Sequence, residues 1–267
     1  MQGCSRLGVR LNRCAVTLEF PVRCRKGKQM LRAHSFAAGI AMLTALVAVA
    51  SAAQSDVDIV TTDGITLKGT YFSPGVPGPA VLLLHQCDKD RRAWFDIASD
   101  LSGAGMHVLT VDFRGLGQSG GKPKTDDERR SLAAKWPADV DTALAFLLSQ
   151  QGVDQSKIAI GGASCGVPQA ANLAMRDHDI RALLVLSGPV TDDAKKYVWQ
   201  TPGMAVFGAA AEQDAGQVDD IRELVSGSKN RLSMLKLYPG EDHGVELFVT
   251  HKDLQPLIVG WMKTQFQ

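Results

Sequence analysis

The chain has 267 residues, 45% of them hydrophobic, with 26 glycines and 11 prolines, which is enough apolar mass for one sizeable core. Its formal net charge is +1, yet eight of its 29 basic residues and only one of its 28 acids precede Gln54. The remainder has 21 bases against 27 acids, a net charge near −6, a balance that does not favour nucleic acid or an anionic membrane surface as a partner.

Residues 1–29 contain Cys4, Cys14, Cys24 and most of the basic cluster, and have neither helical nor alternating periodicity. They read as an unstructured leader, or as residues upstream of a true start at Met30. Residues 30–53 have the layout of a secretory signal peptide: Arg32, an apolar stretch from Phe36 to Val49, and Ala50-Ser51-Ala52-Ala53 with cleavage after Ala52 or Ala53. An uncleaved anchor and a transit peptide are the rivals, and the Ala-x-Ala ending favours cleavage. The expectation is a secreted or periplasmic domain over residues 54–267 with no stable membrane association after cleavage. That domain keeps only Cys87 and Cys165, an even count in a compartment where disulfides persist.

Along that domain, Val57 to Phe72 reads as two strands joined at Asp63-Gly64, a dipeptide suited to a tight hairpin. Ser73 to Pro79 is a loop, and Ala80 to His85 a continuous apolar strand of the kind buried on both faces of a parallel sheet. A helix is predicted over Arg92–Ser102, a strand over His107–Asp112, and a glycine- and charge-rich loop from Phe113 to about Arg130. A helix over Ala138–Gln150 follows, with Val140, Leu144, Leu147 and Leu148 at helical spacing. Lys157 to Gly162 is a strand and the segment after Ser164 a helix. Strands follow at Ala182–Gly188, Met204–Ala209 and Met234–Gly240, with helices at Val218–Val225 and Leu247–Phe266. A hairpin followed by alternating strands and helices predicts an α/β fold: a mostly parallel central sheet, an N-terminal antiparallel hairpin and helices on both faces. Chemistry in such sheets sits beyond the carboxyl ends of the strands.

Gly162-Ala163-Ser164-Cys165-Gly166 matches G-x-S-x-G between a strand and a helix. The turn is so sharp that the residues two before and two after its apex must be small. With Ser164 at the apex both are glycine; with Cys165 they become Ala163 and Val167, and valine fits badly. Ser164 is therefore the candidate nucleophile, and Pro168 falls in the first helical turn, where a missing N–H does no harm. His243, after the last strand in Pro239-Gly240-Glu241-Asp242-His243-Gly244, is the candidate general base. The acid that orients it belongs after Met204–Ala209, where Asp214 is the candidate and Glu212 the alternative.

These residues, with Leu82 to Asp90, Val111 to Gly121 and Asp242-His243-Gly244, resemble the α/β-hydrolase superfamily over about residues 57–266. The likeness is closest to its small lidless esterases and dienelactone hydrolase-like members, although the dienelactone hydrolases have cysteine where Ser164 stands. The resemblance implies an oxyanion hole made by the backbone N–H of Cys165 and one from the loop after Leu84. There the usual His-Gly is replaced by His85-Gln86-Cys87, and either Gln86 or Cys87 would donate. Two donors to one oxygen would bring Cys87 and Cys165 close enough for a disulfide. The resemblance gives Asp112 and Arg114 structural roles.

The function expected is an exported serine hydrolase that cleaves a carboxylic ester, thioester or small amide of a small acyl substrate through an acyl-enzyme on Ser164. The alternatives are a non-catalytic binding protein, a peptidase or a cofactor-free haloperoxidase on the same scaffold. No cofactor or metal is expected, since metal-ligand spacing is lacking and Gly115 to Gly121 follows neither the dinucleotide nor the P-loop pattern. Only about fifteen residues separate Gly188 from Gly203, where larger relatives insert a lid. Trp136, Tyr197 and Trp199 read as core packing before pocket lining.

Overall fold

The computed structural model describes residues 53–267. The expected leader and residues 30–52 of the expected signal peptide lie outside the described residues, and Ala53 opens the first strand.

Strands β1 (Ala53–Val60) and β2 (Thr66–Ser73) pair antiparallel across a turn in which Gly64 has φ 82°. Strand β3 (Gly78–Leu84) follows, with Ala80 to Leu84 fully buried, as a strand covered on both faces must be. A 3-10 turn (Arg91–Trp94) leads into helix α1 (Phe95–Gly103), and then comes β4 (His107–Val111). Helices α2 (Asp126–Ala133) and α3 (Trp136–Leu148) precede β5 (Val153–Ala163). The rest alternates: α4 (Gly166–Arg176), β6 (Ile180–Leu186), α5 (Asp192–Gln200), β7 (Ala205–Ala211), α6 (Val218–Gly227) and β8 (Met234–Tyr238). Short α7 (Leu247–Thr250) and α8 (Leu254–Thr264) close the chain.

The eight strands form one sheet in the order β1-β2-β4-β3-β5-β6-β7-β8, in which β2 alone runs against the others. One apolar layer puts Ile97 and Leu101 of α1 beside Leu254, Ile258 and Trp261 of α8. The opposite layer gathers apolar side chains of α3, α4, α5 and α6. The helix after β3 and the helix after β5 thus lie on opposite faces, although the two strands are neighbours. Their diverging connections open a crevice at the strand ends, the place where open α/β sheets hold ligands.

Three departures from the expected elements have identifiable causes. Helix α2 begins inside the stretch read as loop up to Arg130 and runs past it; it buries no residue, so it has no apolar stripe to betray it. Helix α5 occupies the segment between Gly188 and Gly203, capped by the Thr191 side chain on the Ala194 N–H. The closing helix is two helices, because Pro256 cannot donate to the Lys252 carbonyl and its ring would collide with it. The chain breaks at His251, which has φ −112° and ψ 84° and stacks on Tyr238 at 4.0 Å between ring centroids.

Candidate active site

At the end of β5 the chain turns so tightly that a Cβ on Gly162 would overlap the backbone of Gly166 and Val167. A Cβ on Gly166 would overlap the Leu84 carbonyl at the end of β3. Both glycines therefore serve close backbone approach. Between them Ser164 has φ 51°, a left-handed conformation that non-glycine residues rarely hold, while Cys165 has an ordinary φ of −64°. The left-handed apex residue is thus Ser164. Its N–H donates to the Leu186 carbonyl at 2.9 Å, which seats the turn on β6.

Asp214 follows β7 and is buried, whereas Glu212 is exposed. The His243 Nδ1 lies 2.9 and 3.1 Å from the two carboxylate oxygens of Asp214. The geometry thus separates the two candidate acids in favour of Asp214. With Nδ1–H donated to the carboxylate, Nε2 is the ring nitrogen free to accept a proton. The loop after His243 passes over the elbow: a Cβ on Gly244, which has φ 61°, would lie 3.5 Å from the Ala163 Cβ. Among the described residues the His243 ring bonds only to Asp214.

Beyond Leu84, the end of β3 lies against Gly162 of β5, so the segment after β3 runs beside the elbow. Cys87 and Cys165 are joined by a disulfide with Cα atoms 5.8 Å apart. Cys87 is exposed and Cys165 half-buried. Among the described residues, the N–H groups of Cys165, Cys87 and Gln86 donate to no backbone acceptor outside helices and strands. An oxyanion held between the first of these and either of the others would meet at Cys165 the N-terminal end of α4.

A polar frame that sequence reasoning identified only in outline holds these loops. Asp112, fully buried, accepts from the Arg91 N–H and Nη1, both at 2.7 Å, and from the Gln118 N–H at 2.8 Å. Arg114 bridges Asp139 of α3 and Asp63 of the first hairpin. Burial pushes the Asp139 carboxyl up despite that guanidinium. Trp136 stacks on Phe113 and donates to the Arg114 carbonyl, Tyr197 hydrogen-bonds His178, and Trp199 donates to the Leu224 carbonyl. All three aromatics therefore pack or tether helices. A groove of about 540 Å³ opens between the loop after β3 and the segment after β8, lined in part by Lys89, Ile97, Val245 and Phe248; Ser164 and His243 do not line it.

His85 and His107 are both buried with their rings held in one tautomer. The His85 Nδ1–H donates to the Gln86 carbonyl at 2.7 Å while its Nε2 accepts the Phe113 N–H at 3.1 Å. The His107 Nε2–H donates to the Val76 carbonyl at 3.1 Å and its Nδ1 accepts from the Tyr71 hydroxyl at 2.5 Å. Burial lowers both pKa values below the ordinary 6.5. The folded protein therefore binds fewer protons at these rings than the unfolded chain does as pH falls through 6.5. Their contribution to stability is complete above about pH 6.5 and is lost as pH falls below it, by at most about 1.4 kcal/mol per pH unit for each ring. Thermal melts from pH 8 to pH 5 should show this decline, and His107→Asn should be less stable at pH 8 yet flatter across the window.

The profile of the Hydrolase_4 family, described as serine aminopeptidase S33, matches residues 76–243, a span that contains Ser164, Asp214 and His243. An uncharacterized protein of Mycobacterium tuberculosis is 37% identical over 142 residues, 52% of this chain and 47% of that protein. A thiohydrolase of Arthrinium phaeospermum is 28% identical over 149 residues, 55% of this chain and 46% of its own length. The chain thus spans about half the length of the curated relatives it matches. In fold it is similar to the esterase Pf2001 of Pyrococcus furiosus, with a TM-score of 0.63 at 20% identity over 81% of this chain and 94% of the esterase.

Proposed function

We propose that this chain, which belongs to the Hydrolase_4 (serine aminopeptidase S33) family of α/β hydrolases, is a serine hydrolase that cleaves carboxylic esters or thioesters through an acyl-enzyme on Ser164. The observation that carries the reading is the Asp214 carboxylate on the Nδ1 of His243, with the left-handed Ser164 at the end of β5 on the same edge of the sheet.

In this mechanism the Ser164 Oγ attacks the acyl carbon and its proton passes to the His243 Nε2, while Asp214 holds the Nδ1–H and stabilises the imidazolium. The N–H groups of Cys165 and of Cys87 or Gln86 hold the tetrahedral oxyanion. His243 returns the proton to the departing alkoxide or thiolate, and the same ring then activates water against the acyl-enzyme. The absence of an inserted lid between β6 and β7 favours small acyl substrates. The thioester arm draws on the thiohydrolase relative and the ester arm on the esterase fold neighbour. Export is part of the proposal, supported by the apolar stretch from Phe36 to Val49 and by the Cys87–Cys165 disulfide.

The family's description favours a second reading, hydrolysis of an amino-terminal peptide bond by the same residues. One experiment separates the readings: label the protein with a fluorophosphonate, map the modified peptide, and assay short-chain nitrophenyl esters, acyl thioesters and aminoacyl anilides in parallel. Modification of Ser164 with turnover of esters or thioesters is the expected result. Turnover of the anilides alone would move the assignment to a peptidase, and absence of labelling together with inertness to every substrate would remove the hydrolase reading.

A further inference from the structure

We infer that Gln86 is a positioning residue for the catalytic histidine: its side-chain amide ties the His243 loop to the disulfide-stapled loop after β3. The inference rests on the reading of His243 as general base.

Gln86 is 1% exposed, although it is a long polar side chain in a surface loop. Its Oε1 accepts the Val245 N–H at 2.9 Å across 159 residues of sequence, and its Nε2 donates to the Asp88 Oδ1 at 2.9 Å. Both ends of the amide are thereby satisfied in one orientation, with Asp88 fixing which end is the acceptor. The fit extends to the neighbouring backbone, because any Cβ at Gly244 would overlap the Gln86 Oε1. Gly244 is thus left-handed and bare where the amide reaches in. The residue before it is His243, so the amide sets the path of the chain that aims the imidazole at Asp214.

The partner loop is itself held at several points. The next residue, Cys87, is bonded to Cys165 beside the nucleophile, and the Gln86 carbonyl accepts from the buried His85 ring and from the Lys89 N–H. Beyond Val245, Glu246 pairs with Lys89 at 3.1 Å. On the other side of His243, the Asp242 carboxylate is held by the Thr250 hydroxyl at 2.5 Å and lies 3.3 Å from the His251 Nε2. Gln86 is the direct buried link from the loop carrying an oxyanion donor to the loop carrying the base. Its role therefore goes beyond the backbone donation expected of that position.

Gln86→Met keeps length and apolar bulk and removes both polar contacts. Gln86→Glu combined with Asp88→Asn keeps the acceptor for the Val245 N–H and supplies an amide donor at position 88, and Asp88→Ala, at an exposed site, frees the Gln86 amide to rotate and removes the Asp88–Lys89 ion pair. Each is measured by thermal melting, by kcat and KM on the best ester substrate, and by the nitrogen and downfield proton resonances of His243, which report its tautomer without any turnover. Expected for Gln86→Met is a kcat about 10- to 100-fold lower with KM within about threefold, together with loss of the Nδ1–H tautomer signal. The double variant Gln86→Glu, Asp88→Asn should restore that signal in large part, and Asp88→Ala should change it in the same direction as Gln86→Met but less. A folded Gln86→Met with unaltered kcat and His243 resonances, whatever its melting temperature, would overturn the inference. Should Gln86→Met fail to fold, unaltered resonances and kcat in Asp88→Ala would do the same. Inertness of the wild type to all substrates and to fluorophosphonate would instead remove the hydrolase reading, and the His243 resonances would still decide whether Gln86 orients that ring.

Discussion

Replacing Ser164 by alanine is expected to lower kcat on an ester substrate by a factor on the order of 10⁴ to 10⁶ and to abolish fluorophosphonate labelling, with the fold intact. The loss is that large because nucleophile, base and acid act as one unit, so removal of the nucleophile or the base forfeits nearly all of their joint effect. What survives is binding and the oxyanion donors, which belong to the backbone. The fold should survive because the bond from the Ser164 N–H to the Leu186 carbonyl does not involve the side chain. Ser164→Gly carries a further expectation. At φ 51° a residue with a Cβ is strained, and glycine is not, so this variant should be as inactive as Ser164→Ala and more stable, by up to about 1 kcal/mol. Thermal melts of wild type, Ser164→Ala and Ser164→Gly decide it. If glycine brings no gain over alanine, the apex does not store strain.

Removing the disulfide should have the largest effect on stability. The bridge between Cys87 and Cys165 closes a loop of 78 residues, and the chain-entropy account gives a constraint on the unfolded state of about 4.5 kcal/mol. For a domain of this size that corresponds to a fall in Tm of roughly 10 °C. The double variant Cys87→Ala, Cys165→Ala should show it in calorimetry, and wild type in reductant should behave in the same way. Activity should fall as well, because both cysteines contribute candidate oxyanion N–H groups and the bridge holds one loop against the other. Loss of a single well-placed donor costs about 10²-fold in kcat, and a loosened donor should cost part of that. Full activity in reductant, with both thiols shown free by alkylation, would mean that the remaining contacts place the loop without the bridge.

The sheet strands were legible because burial on both faces demands continuous apolar runs. Ala80 to Leu84 and Ala182 to Leu186 are such runs, short, rich in branched side chains and fully buried. The hairpin was legible from Asp63-Gly64, and the elbow from two glycines whose spacing leaves Ser164 as the only apex. Helix α2 was missed although it carried a signal. Thr125 and Glu128 have the spacing of a capping box: the Thr125 hydroxyl accepts the Glu128 N–H at 3.1 Å, while the Glu128 carboxylate reaches one residue further back and accepts the Lys124 N–H at 2.5 Å. Apolar periodicity is blind to a helix with no buried side, whereas the cap pattern is not. Pro256 likewise announced the break between α7 and α8.

Sequence by itself determined the strands and most of the helices between them, the elbow and its apex serine, and the short list from which the candidate base and acid were drawn. Those features are local: a glycine, a proline or an apolar run acts on its own few residues through backbone sterics and burial. Tertiary structure alone decided which acid meets His243, that Cys87 and Cys165 are bonded, and that the Gln86 side chain reaches the Val245 N–H across 159 residues. Each of these joins loops brought together only when the ends of β3, β5, β7 and β8 align at one edge of the sheet. Their sequence signal is a single polar residue in a loop, and its partner is set by strand order rather than by any spacing along the chain.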